Sequence, residues 1–462
     1  MKSLRVFCTL LAATSVIALA QPTHPAITSW IQNTTGITGR HYMKGNPTPV
    51  VDTFQANCQL VQYSSDYSYV RCNGIPAYVI GPYQDGNPAQ AVGRNYLFKI
   101  PLKPQVNNGT KTAVGLGHIA VLINGVPVYN YADARSYNNG NVWHQNAIVF
   151  ERTGFDCAKG HPAPLQTGPP GMGGGGTQGQ YHHHQDPSAF NIAKVKMSDV
   201  CDMYLADGLY VPDATKHGPL IGYSFDGFPI YGAYGWVTEG GKQIVKRITP
   251  SYRLRNITER TTLADGTKLT QAQYGPTLAA QPLGSYAEDY EYVEGSGDLD
   301  IHNGRFCTTP EYPEGTYAYF ATIDADGNSV YPYVIGPTYY GVVVTDNFPV
   351  RGPGAASTNV RITEAVQTYS STTSTDDDAA LSTVTVFPNP AADALIIQVT
   401  SPMTETASVE LVDLGGRIVR TSTIKQGSTM CFLDVQSLYA GAYVARITRN
   451  SSSINLPVII SE

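Results

Sequence analysis

"HIAVLINGVPVYNY" (118–131) sets two runs of β-branched and aromatic residues on either side of Asn124-Gly125. An Asn-Gly pair supplies the positive φ angles that a two-residue hairpin turn demands, so the stretch reads as two antiparallel strands. The same grammar runs outward from it. "NYLFKIPL" (95–102), "AIVFERTGF" (147–155) and "GTYAYFATIDADGNSVYPYVIGP" (315–337) are short strand-like runs, and Asp326-Gly327-Asn328 marks another hairpin. With 45 Gly, 31 Pro and 31 Tyr but only 14% charged residues, the composition favours turns and aromatic strands over charge-laced helices. The expected fold is mostly β from about residue 50 to 345. The helix candidates are short, as around residues 188–206.

A chain of 462 residues exceeds a typical domain. Lys2 and Arg5, an apolar run over 6–19 and the small-residue site Ala18-Leu19-Ala20 read as a signal peptide, residues 1–20, leaving Gln21 as the mature N-terminus. Nothing else approaches the ~20 apolar residues of a spanning helix, so no transmembrane segment is expected. A net charge of -6 without a Lys/Arg cluster gives no support to electrostatic capture of nucleic acid or to a polybasic membrane patch. Cys8 would leave with the signal peptide. Cys58, Cys72, Cys157, Cys201, Cys307 and Cys431 remain for an oxidising compartment. Cys58 with Cys72 is the favoured disulfide, since both lie in runs that can form one hairpin.

"YVIGPYQDG" (78–86) partly returns as "YVIGPTYYG" (333–341), two segments that can sit as neighbouring strands. The polar, acidic "STTSTDDDAALST" (371–383) has a flexible linker's composition. The expected division is a β-rich domain over 21–365 with its core at about 74–345, a linker over 366–383 and a last domain over 384–462. That last domain has about six short strands in roughly 80 residues, a small Ig-like β-sandwich pattern.

Chemistry concentrates in "QYHHHQDP" (180–187). If the run is extended, His182 and His184 project to one face, Tyr181 and His183 to the other. Two imidazoles on one face can chelate one metal. Upstream, "FDCAKGHPAP" offers Asp156, Cys157 and His161, and the Gly/Pro-rich segment between can return His161 to the run. Neutral imidazole is a common ligand for zinc and copper, so the expected cofactor is a divalent metal, copper or zinc, held by His161, His182 and His184. His118, His144 and His302 are additional candidate ligands. Asp226, in the turn "SFDGFP", is a candidate for orienting a ligating His. Tyr181, Tyr223 and Tyr231 are candidate substrate or proton contacts. The competing explanation of the run is that its histidines only satisfy hydrogen bonds in a Tyr-rich interior.

Other signals point to turns. "GMGGGG" (171–176) fits G-x-G-x-x-G without a strand before it or a helix after it. "GYSFD" (222–226) has Asp226 where a nucleophile elbow needs glycine. "DADGN" (324–328) has Ile335 where a calcium loop closes with an acid.

Two resemblances follow from these motifs. Phe387-Pro388-Asn389-Pro390, Asp413 to Arg417 and Leu438 to Tyr443 resemble the C-terminal sorting domain of the type IX secretion system, over nearly all of residues 384–462. This implies passage through the periplasm to the outside or the outer cell surface, with the secretion machinery as partner. Gly160-His161-Pro162, Tyr181 to His184, residues 221–232, His302 to Arg305 and Tyr331-Pro332-Tyr333 resemble the YHYH family in order, over about residues 74–345. This chain has His183 where the second motif tyrosine would stand, while the two motif histidines map onto His182 and His184. The resemblance supplies a domain label and no activity. Three readings stand, of which the first two are an exported protein with a histidine metal site and a non-catalytic surface module binding an unknown small molecule, glycan or protein through exposed tyrosines. A purely structural envelope protein is the third.

Overall fold

The computed structural model describes residues 23–83, 90–164, 178–189, 208–348, 358–370, 384–399, 403, 405–413, 417–449 and 452–461. The expected signal peptide, the 188–206 helix candidate beyond Ala189, the "GMGGGG" segment, Cys201 and residues 371–383 of the linker lie outside them. Two units divide after Tyr369.

The Asn124-Gly125 hairpin sits near the middle of the first unit. Val126 N donates to Asn124 Oδ1 at 3.1 Å and Gly125 N to Leu122 O at 2.8 Å, with Gly125 at φ 80°. A Cβ there would lie 2.4 Å from Cys72 Cβ, so both conformation and space require glycine. The hairpin belongs to a nine-stranded mixed sheet. Its strands are Gln90–Ala91 (β1), His118–Leu122 (β2), Pro127–Tyr129 (β3), Gly160–Pro164 (β4), Gln178–His183 (β5), Leu220–Ser224 (β6), Pro229–Tyr231 (β7), Gly304–Cys307 (β8) and Thr316–Phe320 (β9). The order is β4-β5-β3-β2-β6-β7-β9-β8, with β1 pairing β5.

Every residue of β2, β6 and β9 is buried, because both faces of the sheet centre carry a core. Alternation along β9 sends Tyr317 and Tyr319 to one core and Ala318 and Phe320 to the other. The second core packs against a four-stranded sheet of Gln367–Tyr369, Cys58–Tyr63, Tyr67–Cys72 and Tyr96–Pro101. The first is closed by the aromatic segment Tyr331, Tyr333, Val334, Ile335 and Tyr339. Each fully buried aliphatic or aromatic side chain contributes about 1.5–3 kcal/mol, and this burial holds the layers together.

Several expectations are corrected. Cys58 and Cys72 are register partners in one hairpin, as read from the sequence, yet both are free thiols. Each instead faces a carbonyl, Ile123 O at 3.4 Å and Gly125 O at 3.2 Å. Cys157 is disulfide-bonded. The two "YVIGP" segments are not neighbouring strands. Val79–Ile80 pairs in parallel with Thr38–Met43, whereas Tyr333 turns at φ 71° into the core. Gln367–Tyr369, read as linker, extends the sheet by pairing with Cys58–Tyr63. The "DADGN" segment is a turn, as its sequence leads one to expect: Asp324 Oδ1 accepts from Asp326 N and Asn328 N, each at 2.9 Å.

The second unit is a sandwich. Val384–Phe387, Ala394–Val399 and Met430–Asp434 form one sheet; Ile418–Ile424, Ala407–Asp413, Gly441–Arg449 and Ser452–Ile460 form the other. Leu395, Ile397, Val409, Leu411, Ala445 and Ile447 meet in its core at 0% exposure. No described helix of either unit is long and apolar enough to cross a membrane.

Candidate metal centre

The site starts at a turn. Asp156, at 0% exposure, accepts from Ala158 N and Gly160 N through Oδ1 and from Gly81 N and the Tyr181 hydroxyl through Oδ2, at 2.7–3.0 Å. Burial raises its carboxyl to about 7 against the pull of these donors. The turn passes Lys159 at φ 62° and enters β4 at Gly160, where a Cβ would meet the Tyr181 hydroxyl at 2.4 Å.

β4 then runs antiparallel to β5 with His161 opposite His182. Opposed residues share a face, and so do residues two apart, which brings His161, His182 and His184 together. Their ring centroids lie 4.6, 4.8 and 5.5 Å apart, and their candidate ligand atoms all fall within 4.8 Å of one another. All three are buried. Tyr129 stacks on His182 at 3.7 Å and Phe155 tilts against His161 at 4.6 Å, fixing the rings.

Hydrogen bonds fix the tautomers. His182 Nδ1 lies 2.8 Å from Gln180 O and His184 Nδ1 2.5 Å from Asn130 O. A carbonyl can only accept, so each Nδ1 carries a proton, and in the neutral ring each Nε2 then presents a lone pair. Those Nε2 atoms lie 3.0 Å apart. Two lone pairs at that distance repel unless a proton or a metal cation sits between or beside them. Burial, reinforced by the neighbouring histidines, pushes His182 well below the usual range, and burial lowers His161 to about 4.

A fourth group arrives from elsewhere. The run 147–155 is not the strand its sequence suggests: Ala147–Phe150 form a one-turn helix, capped by Asn146 Oδ1 on Ile148 N, that ends at Glu151. Glu151 Oε2 lies 3.1 Å from His184 Nε2 and 3.5 Å from His161 Nε2. Burial works to raise this carboxyl, but His184 and His161 beside it prevail and hold it below its usual value. His161 Nε2 is buried without a hydrogen-bond partner, and Glu151 Oε2 is buried with these imidazoles beside it. Three imidazole nitrogens and a carboxylate oxygen thus converge, a donor set that could hold a metal ion. Sequence reading missed Glu151, because ten residues and no periodicity separate it from His161; only the helix end aims it inward.

The other candidates lie apart from this group. His183 points to the opposite face, donating from Nδ1 to Lys159 O at 3.1 Å and accepting from the Tyr78 hydroxyl at Nε2, 2.6 Å. His118 donates from Nε2 to Asn347 O at 2.6 Å inside a ring of Tyr96, Phe98, Tyr129 and Phe225. His144 contacts Glu288 at 2.6 Å, and His302 contacts Thr338. Asp226 accepts from the Tyr319 hydroxyl at 2.6 Å and Gly341 N at 2.8 Å, not from a ligating His. Tyr181, Tyr223 and Tyr231 are at most 1% exposed.

Residues 385–461 match the model of the secretion system C-terminal sorting domain. The chain is therefore exported by the type IX route, to the medium or the outer surface, and its sandwich is the part addressed to that machinery. No curated protein matches the chain. Residues 97–331 match the model of the YHYH protein family, and they contain all four converging side chains. With that match spanning just over half of its length, the chain belongs to the YHYH family.

Proposed function

We propose that this exported protein binds a divalent metal, copper or zinc, through Nε2 of His161, His182 and His184, with Glu151 as the fourth ligand. One observation carries the reading: both Nδ1 protons of His182 and His184 are committed to backbone carbonyls while their Nε2 lone pairs face each other at 3.0 Å. Between neutral rings this arrangement is repulsive, and a metal converts the repulsion into two bonds. Glu151 is the solvent side of the site, its side chain 31% exposed against 4–8% for His184 and His161. A carboxylate there is the ligand a water or an incoming molecule can displace, which keeps one coordination position exchangeable.

Binding through exposed tyrosines receives less support, because the tyrosines singled out from the sequence are buried and bonded inside. The test is electron paramagnetic resonance of the copper(II)-loaded chain. Coupling to imidazole nitrogens that diminishes in His161→Ala supports the reading. A spectrum of aqueous or randomly bound copper, unchanged by that substitution, overturns it.

A further inference from the structure

At the opposite edge of the nine-stranded sheet from the histidines, β8 meets the hairpin formed by Tyr234–Glu239 and Lys242–Arg247. Between them lies a cavity of about 420 Å³, lined among others by Trp236, Gln243, Asp298, Arg305, Phe306 and Cys307. Phe306 is 73% exposed, a large aromatic left facing solvent on an edge strand. Trp236 is held by the edge of His217, with ring centroids 5.0 Å apart at 71°.

The charges at this cavity are unequal in their partners. Asp298 is satisfied inside the protein, taking Lys246 Nζ at 2.7 Å, Thr249 N at 2.9 Å and the Thr249 hydroxyl at 2.7 Å. Arg305 meets no carboxylate among the described residues. It donates to the Trp236 carbonyl, lies beside the Cys307 thiol, and its Nε is buried without a hydrogen-bond partner. A half-buried guanidinium that no carboxylate of the described residues neutralises is matched by an incoming one. Flat aromatic faces at the mouth suit the C–H face of a sugar ring, and Gln243 can pair its hydroxyls. A cavity of this volume is in the range of small-molecule sites.

We infer that the cavity between β8 and the 234–247 hairpin is a binding site for a carboxylate-bearing sugar, a uronic acid unit of an acidic polysaccharide, with Arg305 on the carboxylate and Trp236 and Phe306 against the ring. The site is independent of the metal reading.

Trp30 and Trp143 are 3% and 1% exposed, which leaves Trp236 as the tryptophan that a ligand can reach. The experiment is therefore a tryptophan-fluorescence titration of the full chain with tri-galacturonate and, separately, its neutral methyl ester. The expected result is a saturable change with the acid, weakened about tenfold in the ester and in Arg305→Gln for loss of the charge-assisted pair. Phe306→Ala, which alters an exposed side chain, should weaken both probes. Chelating agents and the His182→Ala/His184→Ala variant should leave the titration unchanged. No saturable change with the acid, equal response to acid and ester, or loss of binding on chelation would each overturn the assignment.

Discussion

His161 stands directly opposite His182 across the β4–β5 ladder, their ring centroids 4.6 Å apart, so the register of one strand pair sets the geometry of the site. Register is a property of the whole sheet, and a slip of one residue would turn every one of these imidazoles to the other face. The site is therefore expected to respond to changes in the turn that leads into β4 and is tied to β5 through Tyr181, as well as to changes in its ligands.

Asp156 is that turn's anchor. Asp156→Asn replaces an acceptor oxygen by an NH2 that must face either the Ala158 and Gly160 amides or the Gly81 amide and Tyr181 hydroxyl. Leaving such a buried group unsatisfied costs roughly 1–3 kcal/mol. Supporting groups around metal ligands typically change affinity by about 10–100-fold, and a loss in that range is expected in metal titration of the folded variant. Unchanged affinity would show that the turn does not set the site.

Glu151 separates a three-ligand from a four-ligand site. Glu151→Gln keeps the shape and removes the charge, so it should weaken metal binding while leaving three imidazole nitrogens on the metal by X-ray absorption spectroscopy. His182→Ala should instead remove one nitrogen from the coordination shell. Equal binding by the Glu151 variant and the parent would place the carboxylate outside the coordination sphere.

His118 gives a pH dependence away from the site. Burial lowers it from 6.5 to about 4, so the folded state takes up its proton only in strong acid while the unfolded chain takes it up near 6.5. Its contribution is complete above the unfolded value and is lost as pH falls from 6.5 through 4, by roughly 3 kcal/mol in all. Denaturant unfolding of the parent and His118→Phe between those pH values checks this: the variant should lose less stability on acidification, and parallel curves would contradict it.

Gly125 tests the central hairpin. An alanine would have to adopt φ 80° and place its Cβ 2.4 Å from Cys72 Cβ. Left-handed strain and overpacking together make Gly125→Ala destabilising by roughly 2–4 kcal/mol, readable as a lower denaturation midpoint. A neutral effect would mean that the turn is not held as described.

The sequence made the β class legible because short-range signals decide it: Asn124-Gly125 fixes a turn whatever surrounds it, and period-two alternation places His182 and His184 on one face. His161 was within reach because it lies in the motif-bearing strand opposite. Glu151 was not, since a lone acid at the end of a one-turn helix has no spacing to betray it. The doubled "YVIGP" misled for a related reason. Identical local sequence took a strand beside Thr38–Met43 and a core turn at Tyr333, so tertiary packing overrode propensity. The Cys58–Cys72 pairing was right in register and wrong in bonding, because register places two thiols opposite each other without fixing whether they are oxidised.

Elemental analysis of the purified, folded protein after loading with copper and zinc, beside the His182→Ala/His184→Ala variant, tests the central claim most directly. The result expected is near-stoichiometric metal in the parent and none in a variant that circular dichroism shows to be folded. Metal-free parent protein after loading, or equal metal in both, would contradict the account.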